Sequence, residues 1–305
     1  MNRFARMGMA WAAGLLLSGQ AMAWNVFPYG DDQALKWGSN TIGTPGGIVT
    51  WSLIGDGTGI ADGAPDGIHG SSQLGSLFSA IDAAYGSGTS LNALQRAFDS
   101  WSAVANVKFV QVSETGSVPL GAAYASVGGS VIGDIRIGAY AVDGFSGAVG
   151  YAPKPNGGTT LEGDVVFNIG AAFQAVPAGA AEGSFYDVYL NPSPTDSPDK
   201  DGWYHNDLQS LFAHELGHAI GLAHSTEPAA LMCGWVDDDF DGSLCNWNPT
   251  EQTNWQIPLV RLPTPDDVAG AQYLYGAAPV PEPGSYLLML AGLGVLLSAR
   301  RKAGR

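Results

Sequence analysis

The sequence predicts one sheet domain of the α+β class, and three observations carry that prediction. Short β-rich runs of strand length recur along the chain, a few segments of helical periodicity lie between them, and no internal repeat of fixed period is present. About 255 residues separate two terminal segments of targeting-signal composition, enough for one large core with insertions.

The chain opens MNRFARMGMAWAAGLLLSGQAMA, with Arg3 and Arg6 ahead of an apolar run and Ala21-Met22-Ala23 behind it. This is the layout of a secretory signal peptide over residues 1–23, with mature protein from Trp24; the apolar run is short for a membrane anchor. Residues 48–54 are the first expected core strand. Residues 55–72, GDGTGIADGAPDGIHGSS, form an expected loop, because ordering so many glycines as helix costs too much backbone entropy. Its carboxylates Asp56, Asp62 and Asp66 are candidate calcium ligands. Residues 92–103 put Leu94, Ala97, Phe98 and Trp101 on one stripe and predict a helix, while VKFVQV at 107–112 alternates as a strand. Further strands are expected at 134–140 and 164–169.

Charge and cysteine usage narrow the function class. The chain has 13 Lys and Arg against 28 Asp and Glu, a formal net charge of −15. Such a field repels phosphate backbones and anionic lipid, which argues against a nucleic-acid or membrane-surface partner. Cys233 and Cys245 are the two cysteines. In a chain bound for an oxidising space they read as a disulfide closing one loop; a zinc pair is the alternative, but the CxxC or CxH spacing is missing.

Three of the five histidines fall within HELGHAIGLAHS, residues 214–225. Asn206 is an expected N-cap with Gln209 returning the hydrogen bond, opening a helix that runs toward Gly221. On it His214 and His218 stack one turn apart, so both imidazoles reach one ion, with Glu215 beside them. His224, six residues beyond His218, would lie roughly 9 Å further along an unbroken helix. Gly221 is where the chain can turn back at no steric cost and return His224 to the same ion. Three neutral imidazoles with one open coordination position are the arrangement of catalytic rather than structural zinc. The expected chemistry is hydrolysis of a peptide bond by water activated at that position, with Glu215 as general base. His69 and His205 lack ligand spacing and are expected bystanders, with a place lining the cleft left open to His205 because it lies near the helix start.

HELGHAIGLAHS resembles the zinc-binding signature of the metzincin metalloproteases, and among them the matrixins. Glu227 to Met232, EPAALM, resembles the family's Met-turn, which implies Met232 as an apolar floor beneath the ligands. No Tyr follows two positions after Met232, so the astacin and serralysin pattern is not matched. PDDVAGAQYLYG at 265–276 resembles the family's last helix, and Thr264 with Pro265 is independently a good helix start. LKW at 35–37 and residues 93–112 resemble its first strand, first helix and second strand; GDIRIGAY (133–140), AVGYAP (148–153) and GDVVFN (163–168) resemble its next strands. The resemblance implies a metzincin fold: a twisted, mostly parallel sheet with about three helices, a zinc helix and a Met-turn. It also implies that residues 147–152 form an edge strand that pairs with extended substrate.

The departures carry expectations of their own. Val149 and Val166 stand where matrixins commonly place histidines for a structural zinc, so one catalytic Zn2+ alone is expected. Both cysteines follow the motif, so latency by a propeptide cysteine is excluded. CGWVDDDFDGSLC, inserted after Met232, places Asp237, Asp239 and Asp241 at alternate positions before Gly242, a pattern similar to calcium loops and a candidate structural Ca2+ site. Asp199-Lys200-Asp201-Gly202 is a weaker candidate.

At the other end Pro281-Glu282-Pro283, an uncharged stretch over 284–299, and Arg300, Arg301 and Lys302 resemble a PEP-CTERM sorting signal. The alternative is an ordinary C-terminal anchor. The expected organisation is therefore a signal peptide at 1–23, a catalytic domain at 24–278 with insertions near 55–75 and 233–262, and a sorting segment at 279–305. The expected protein is a monomeric secreted or surface zinc endopeptidase of a Gram-negative bacterium. It would pass through the periplasm, touch the inner membrane transiently through 284–299, and meet an exosortase-type enzyme as well as its polypeptide substrate. Two other readings stay open: a non-catalytic, calcium-binding matrix protein on the same fold, and a non-peptide amidase.

Overall fold

The computed structural model describes residues 23–62, 64–144, 147–155, 158–195, 200–234 and 256–279. In chain order, strands β1 (Asn25–Val26), β2 (Pro28–Gly30), β3 (Gln33–Ala34), β4 (Gly47–Leu53) and β5 (Ile68–His69) precede helices α1 (Leu74–Tyr85) and α2 (Thr89–Val104). Strands β6 (Val107–Gln111), β7 (Ile135–Val142), β8 (Ala148–Gly150), β9 (Val165–Asn168), β10 (Ala172–Gln174), β11 (Phe185–Asp187) and β12 (His205–Asp207) follow. Helix α3 (Leu208–Ala219), β13 (Leu222–Ala223), β14 (Gln256–Pro258) and α4 (Pro265–Tyr275) complete the order.

The main sheet runs β6-β4-β7-β9-β8, with β5 paired to the end of β7. Its first four strands are parallel and β8 is antiparallel to β9, so the sheet is mostly parallel, as expected. Central β7 is buried along most of its length and β9 along all of it, because helices cover one face of the sheet and loops the other. The helical face holds the larger core, in which Phe98 stacks on Trp51 at 4.6 Å and meets Phe212 of α3 edge-on at 5.3 Å. Burying each such ring contributes about 1.5–3 kcal/mol. The indole N–H of Trp101 on α2 donates to the Ala213 carbonyl of α3 at 3.0 Å, which fixes the two helices in register. On the other face Ile54, Ile68, Leu120, Tyr140 and Val166 form a smaller cluster.

The expected helix at 92–103 is α2, and the strands expected at 48–54, 107–112, 134–140 and 164–169 are β4, β6, β7 and β9 within one or two residues. Three expectations need correction. The described residues contain four α-helices, since α1 begins right after the glycine-rich loop; Leu74 and Ile81 are buried, and Leu77 and Phe78 pack against the same core, which is helical spacing. The expected strand at 35–37 is absent. There the carbonyls of Trp37, Ser39 and Thr44 wrap the buried Lys36 ammonium at 3.1, 2.7 and 3.0 Å, and a loop curled around a cation cannot also join a sheet ladder. The α3 N-cap is Asp207, whose carboxylate accepts from the Ser210 N–H at 3.0 Å, while Asn206 donates its amide to the Ala172 carbonyl. Gln209 returns no capping bond and instead accepts from Arg96.

Candidate metal centre

Helix α3 carries His214 and His218 one turn apart, their rings 4.9 Å from centroid to centroid. The helix ends as the spacing required. Gly221 takes φ 104°, and a β-carbon there would run into the Leu35 carbonyl, so glycine is needed twice over. The chain turns into β13, pairs antiparallel with β1, and delivers His224, whose Nε2 stands 3.3 Å from that of His214 and 3.2 Å from that of His218.

Hydrogen bonds set which nitrogen faces inward. His214 Nδ1 lies 2.7 Å from the Leu231 carbonyl and His218 Nδ1 lies 2.8 Å from the Leu222 carbonyl. Carbonyl oxygens only accept, so each Nδ1 bears the proton and each Nε2 lone pair points at the common centre. Burial holds the His214 pKa down to about 4, that of His218 well below its ordinary value and that of His224 lower than usual, so all three rings are neutral. Nitrogens about 2.0–2.1 Å from a tetrahedral zinc ion stand about 3.3–3.4 Å apart, close to the separations found here. The donor set therefore fits zinc. Among the described residues these three side chains form the group able to hold a metal ion.

Glu215 is buried beside the triad. Burial pushes its pKa up to about 8, partly offset by a hydrogen bond from the Gly150 N–H. Gly150 closes β8, which is the expected edge strand and packs directly on α3: a β-carbon at 150 would strike the Glu215 carbonyl and crowd His218 Cβ at 3.0 Å. Val149 and Val166 face each other across β8 and β9. Met232 is buried beneath α3, its Sδ filling the space left by the missing side chain of Gly217.

Contacts from distant parts of the chain support the ligands, and these the sequence reading missed. Asp267, in the α4 capping box with Thr264, accepts from the Leu231 and Met232 N–H groups at 2.8 and 2.9 Å. It thereby holds the turn whose carbonyl orients His214. Neighbouring Asp266 accepts from the Ser225 hydroxyl at 2.6 Å and from the Trp24 N–H at 3.2 Å, tying the N-terminal segment to the residue next to His224. The adjacent acidic pair following Thr-Pro was a visible signal of helix capping, but nothing local told where its carboxylates would reach. Gly234 lies so close to the His224 ring that any side chain at 234 would collide with it.

The remaining candidates lie elsewhere. His205 is buried, with Nδ1 on the Trp203 carbonyl at 2.7 Å and Nε2 on Ser193 Oγ at 2.8 Å, so it is satisfied inside the fold rather than lining the cleft. His69 pairs with Asp143 on the surface. Asp56 places its carboxylate on the Gly75 and Ser76 N–H groups at 2.7 and 3.1 Å, at the start of α1. Asp201 accepts from the Ser193 N–H. Asp237, Asp239, Asp241, Asp199 and Cys245 lie outside the described residues, and among the described residues no group supports calcium.

Against known proteins, residues 78–245 match the matrixin family, more than half of the chain. The chain belongs to the matrixins. Residues 279–302 match the PEP-CTERM protein-sorting motif, which implies recognition by an exosortase and export to the surface or exterior of the cell. Similar curated proteins include matrix metalloproteinase-16 of Homo sapiens and of Rattus norvegicus, each 35% identical over 80 residues, or 26% of this chain and 10% of theirs. Neutrophil collagenase of Homo sapiens is 36% identical over 69 residues, 23% of this chain and 11% of its own. The matched part of this matrixin thus spans about a tenth of the length of those relatives. Family membership implies a metzincin fold, zinc and metalloendopeptidase chemistry. No helix among the described residues is long and apolar enough to cross a membrane.

Proposed function

We propose that this matrixin is a secreted zinc endopeptidase in which His214, His218 and His224 hold the metal and Glu215 is the general base. The observation that carries the reading is the convergence of three Nε2 atoms, with the tautomers of His214 and His218 locked from behind by carbonyls, next to a buried carboxylate. A bound zinc ion would supply Lewis-acid polarisation of the substrate carbonyl. The chain's own groups do the rest. An extended polypeptide lies along the free edge of β8 as an added strand, its scissile carbonyl brought over the triad. Glu215, held by the Gly150 N–H, accepts a proton from the attacking water as the C–O bond forms. It returns that proton to the leaving nitrogen as the C–N bond breaks.

Around this centre the reading includes Met232 as the apolar floor, Gly221 as the turn, a Cys233–Cys245 disulfide closing the insertion, and removal of residues 1–23 before Trp24. The test is zinc content together with casein cleavage, for wild type and for Glu215→Ala. One zinc per chain in both proteins, with cleavage in wild type alone, is the expected result. Zinc without cleavage of casein or of a broad peptide library by wild type would overturn the endopeptidase reading.

A further inference from the structure

Helix α3 stops between His218 and His224, and the carbonyls of its last turn need partners from elsewhere. The Ile220 N–H closes back on the Leu216 and Gly217 carbonyls, and the Gly221 N–H on that of His218 at 2.9 Å. The next three carbonyls, of Ala219, Ile220 and Gly221, are each met by a different part of the chain. The indole N–H of Trp37 donates to Ala219 at 2.8 Å, the Tyr275 hydroxyl of α4 to Ile220 at 2.7 Å, and the Phe27 N–H to Gly221 at 3.1 Å. Trp37 and Tyr275 are also joined to each other, because the Trp37 backbone N–H donates to the Tyr275 hydroxyl oxygen at 3.0 Å. Both side chains are buried, so water does not compete for these bonds.

Lys36 fixes where Trp37 stands. Its ammonium draws the carbonyls of Trp37, Ser39 and Thr44 around itself and lies 4.7 Å from the centre of the Tyr275 ring. The Trp37 ring packs against Gly163, where a β-carbon would run into it, so the indole has little room to turn. The same loop supplies the Leu35 carbonyl against which Gly221 is packed, and the Leu35 N–H donates to the Phe27 carbonyl at 2.9 Å. The turn held in this way serves two ligands. It returns His224 to the centre, and it presents the Leu222 carbonyl that lies 2.8 Å from His218 Nδ1. A shift of this backbone would therefore displace one imidazole and release the tautomer of another.

We infer that Trp37 and Tyr275 are positioning residues of the metal centre, two donors that hold the turn between His218 and His224 in the shape that brings the three imidazoles together. They act through the Ala219 and Ile220 carbonyls rather than on the ion. A buried carbonyl that loses its partner is costly, so the turn shifts to recover one when either donor is deleted. The inference rests on the reading of His214, His218 and His224 as zinc ligands.

The test uses the full chain with Trp37→Phe and Tyr275→Phe, each of which keeps an aromatic ring and removes one polar group. Tyr140→Phe is the control: it removes a buried hydroxyl that donates to the Thr58 carbonyl at 3.1 Å, in the cluster on the other face of the sheet. Zinc affinity is measured by competition with a chelator, the visible spectrum is recorded with cobalt(II) in place of zinc, and the unfolding midpoint of each metal-free protein is taken. The expected result is a zinc dissociation constant raised about tenfold or more in both variants, as for groups that orient metal ligands from behind, with a weakened or shifted cobalt band. Tyr140→Phe should lower the metal-free midpoint by a similar amount, yet bind zinc within about twofold of wild type and keep its cobalt spectrum. If one of the two variants does not fold, the other carries the comparison. Wild-type affinity and a wild-type cobalt spectrum in a folded variant overturn the inference and leave the metal reading intact. An equal loss of affinity in Tyr140→Phe overturns it too, because the effect is then a general loosening of the fold. Wild type that takes up no zinc removes the metal reading and the inference together.

Discussion

At Glu215 two backbones and a carboxylate share one small volume, and Gly150 is the residue that permits it. The Gly150 N–H donates to the carboxylate, and the missing β-carbon lets β8 close on the Glu215 carbonyl and on His218. Gly150→Ala therefore forces strand and helix apart, at about 1–3 kcal/mol for overpacking a tight contact, and moves the general base away from the edge strand. We expect a lower unfolding midpoint and a fall in kcat of at least tenfold, whereas Val149→Ala on the same strand should change kcat by less than twofold. Equal kcat in Gly150→Ala and wild type would show that this contact does not position Glu215. The histidines and Glu215 were legible in the sequence because an i, i+4 pair and a turn glycine are local patterns. Gly150 was not, since the reason for it lies on a helix more than sixty residues away along the chain.

Between elements, single carboxylates do the joining. Asp82 on α1 accepts from the Gly88 N–H at 2.6 Å and from the Ser90 N–H and hydroxyl at 2.9 and 2.8 Å, fastening α1 to the first turn of α2. Burial raises its pKa, but the bonds from Ser90 and Gly88 outweigh that and leave it below the ordinary 3.8. A depressed folded-state value means the stabilisation is present above pH 3.8 and lost as pH falls through the folded value. Asp82→Asn should flatten the acid limb of the stability curve while changing its neutral part little; an unaltered acid limb would remove Asp82 from the account. Asp267 joins α4 to the turn at Leu231 and Met232. With a cap and two buried N–H partners lost, Asp267→Ala should cost about 2–4 kcal/mol and weaken zinc binding about tenfold or more, read by denaturation and by competition with a chelator. The Thr264 and Pro265 helix start and the family resemblance revealed α4, whereas periodicity revealed α2 and strands β4, β6, β7 and β9, whose apolar patterns are strong. It missed α1, hidden behind the glycines of residues 55–72, and misplaced the α3 cap by one residue, since Asn206 and Asp207 are both good caps and only their neighbours decide. The strand expected at 35–37 failed because Lys36 gathers the local carbonyls.

For the whole molecule, the two ends of the described chain close on the metal centre. Strand β1 pairs with β13, Phe27 N–H donates to the Gly221 carbonyl, and Asp266 of α4 holds both the Trp24 N–H and Ser225. The ligands thus come from α3 and from the residue that follows β13, elements packed by opposite ends of the described chain, and they present neutral lone pairs to one another at 3.2 and 3.3 Å. Without a cation those lone pairs repel, so the closed arrangement and the bound ion should stabilise each other. A ligand that binds only the folded state adds about 4 kcal/mol at a thousandfold excess over its Kd, and a domain of this size shifts about 2–4 °C in Tm per kcal/mol. Stripping zinc with a chelator should therefore lower Tm by about 8–16 °C, with full recovery on adding zinc back, and His224→Ala should show the lower Tm with no response to either treatment. A zinc-loaded wild type whose Tm ignores the chelator, although analysis proves the metal gone, would mean that β1 and α4 alone hold the three imidazoles together.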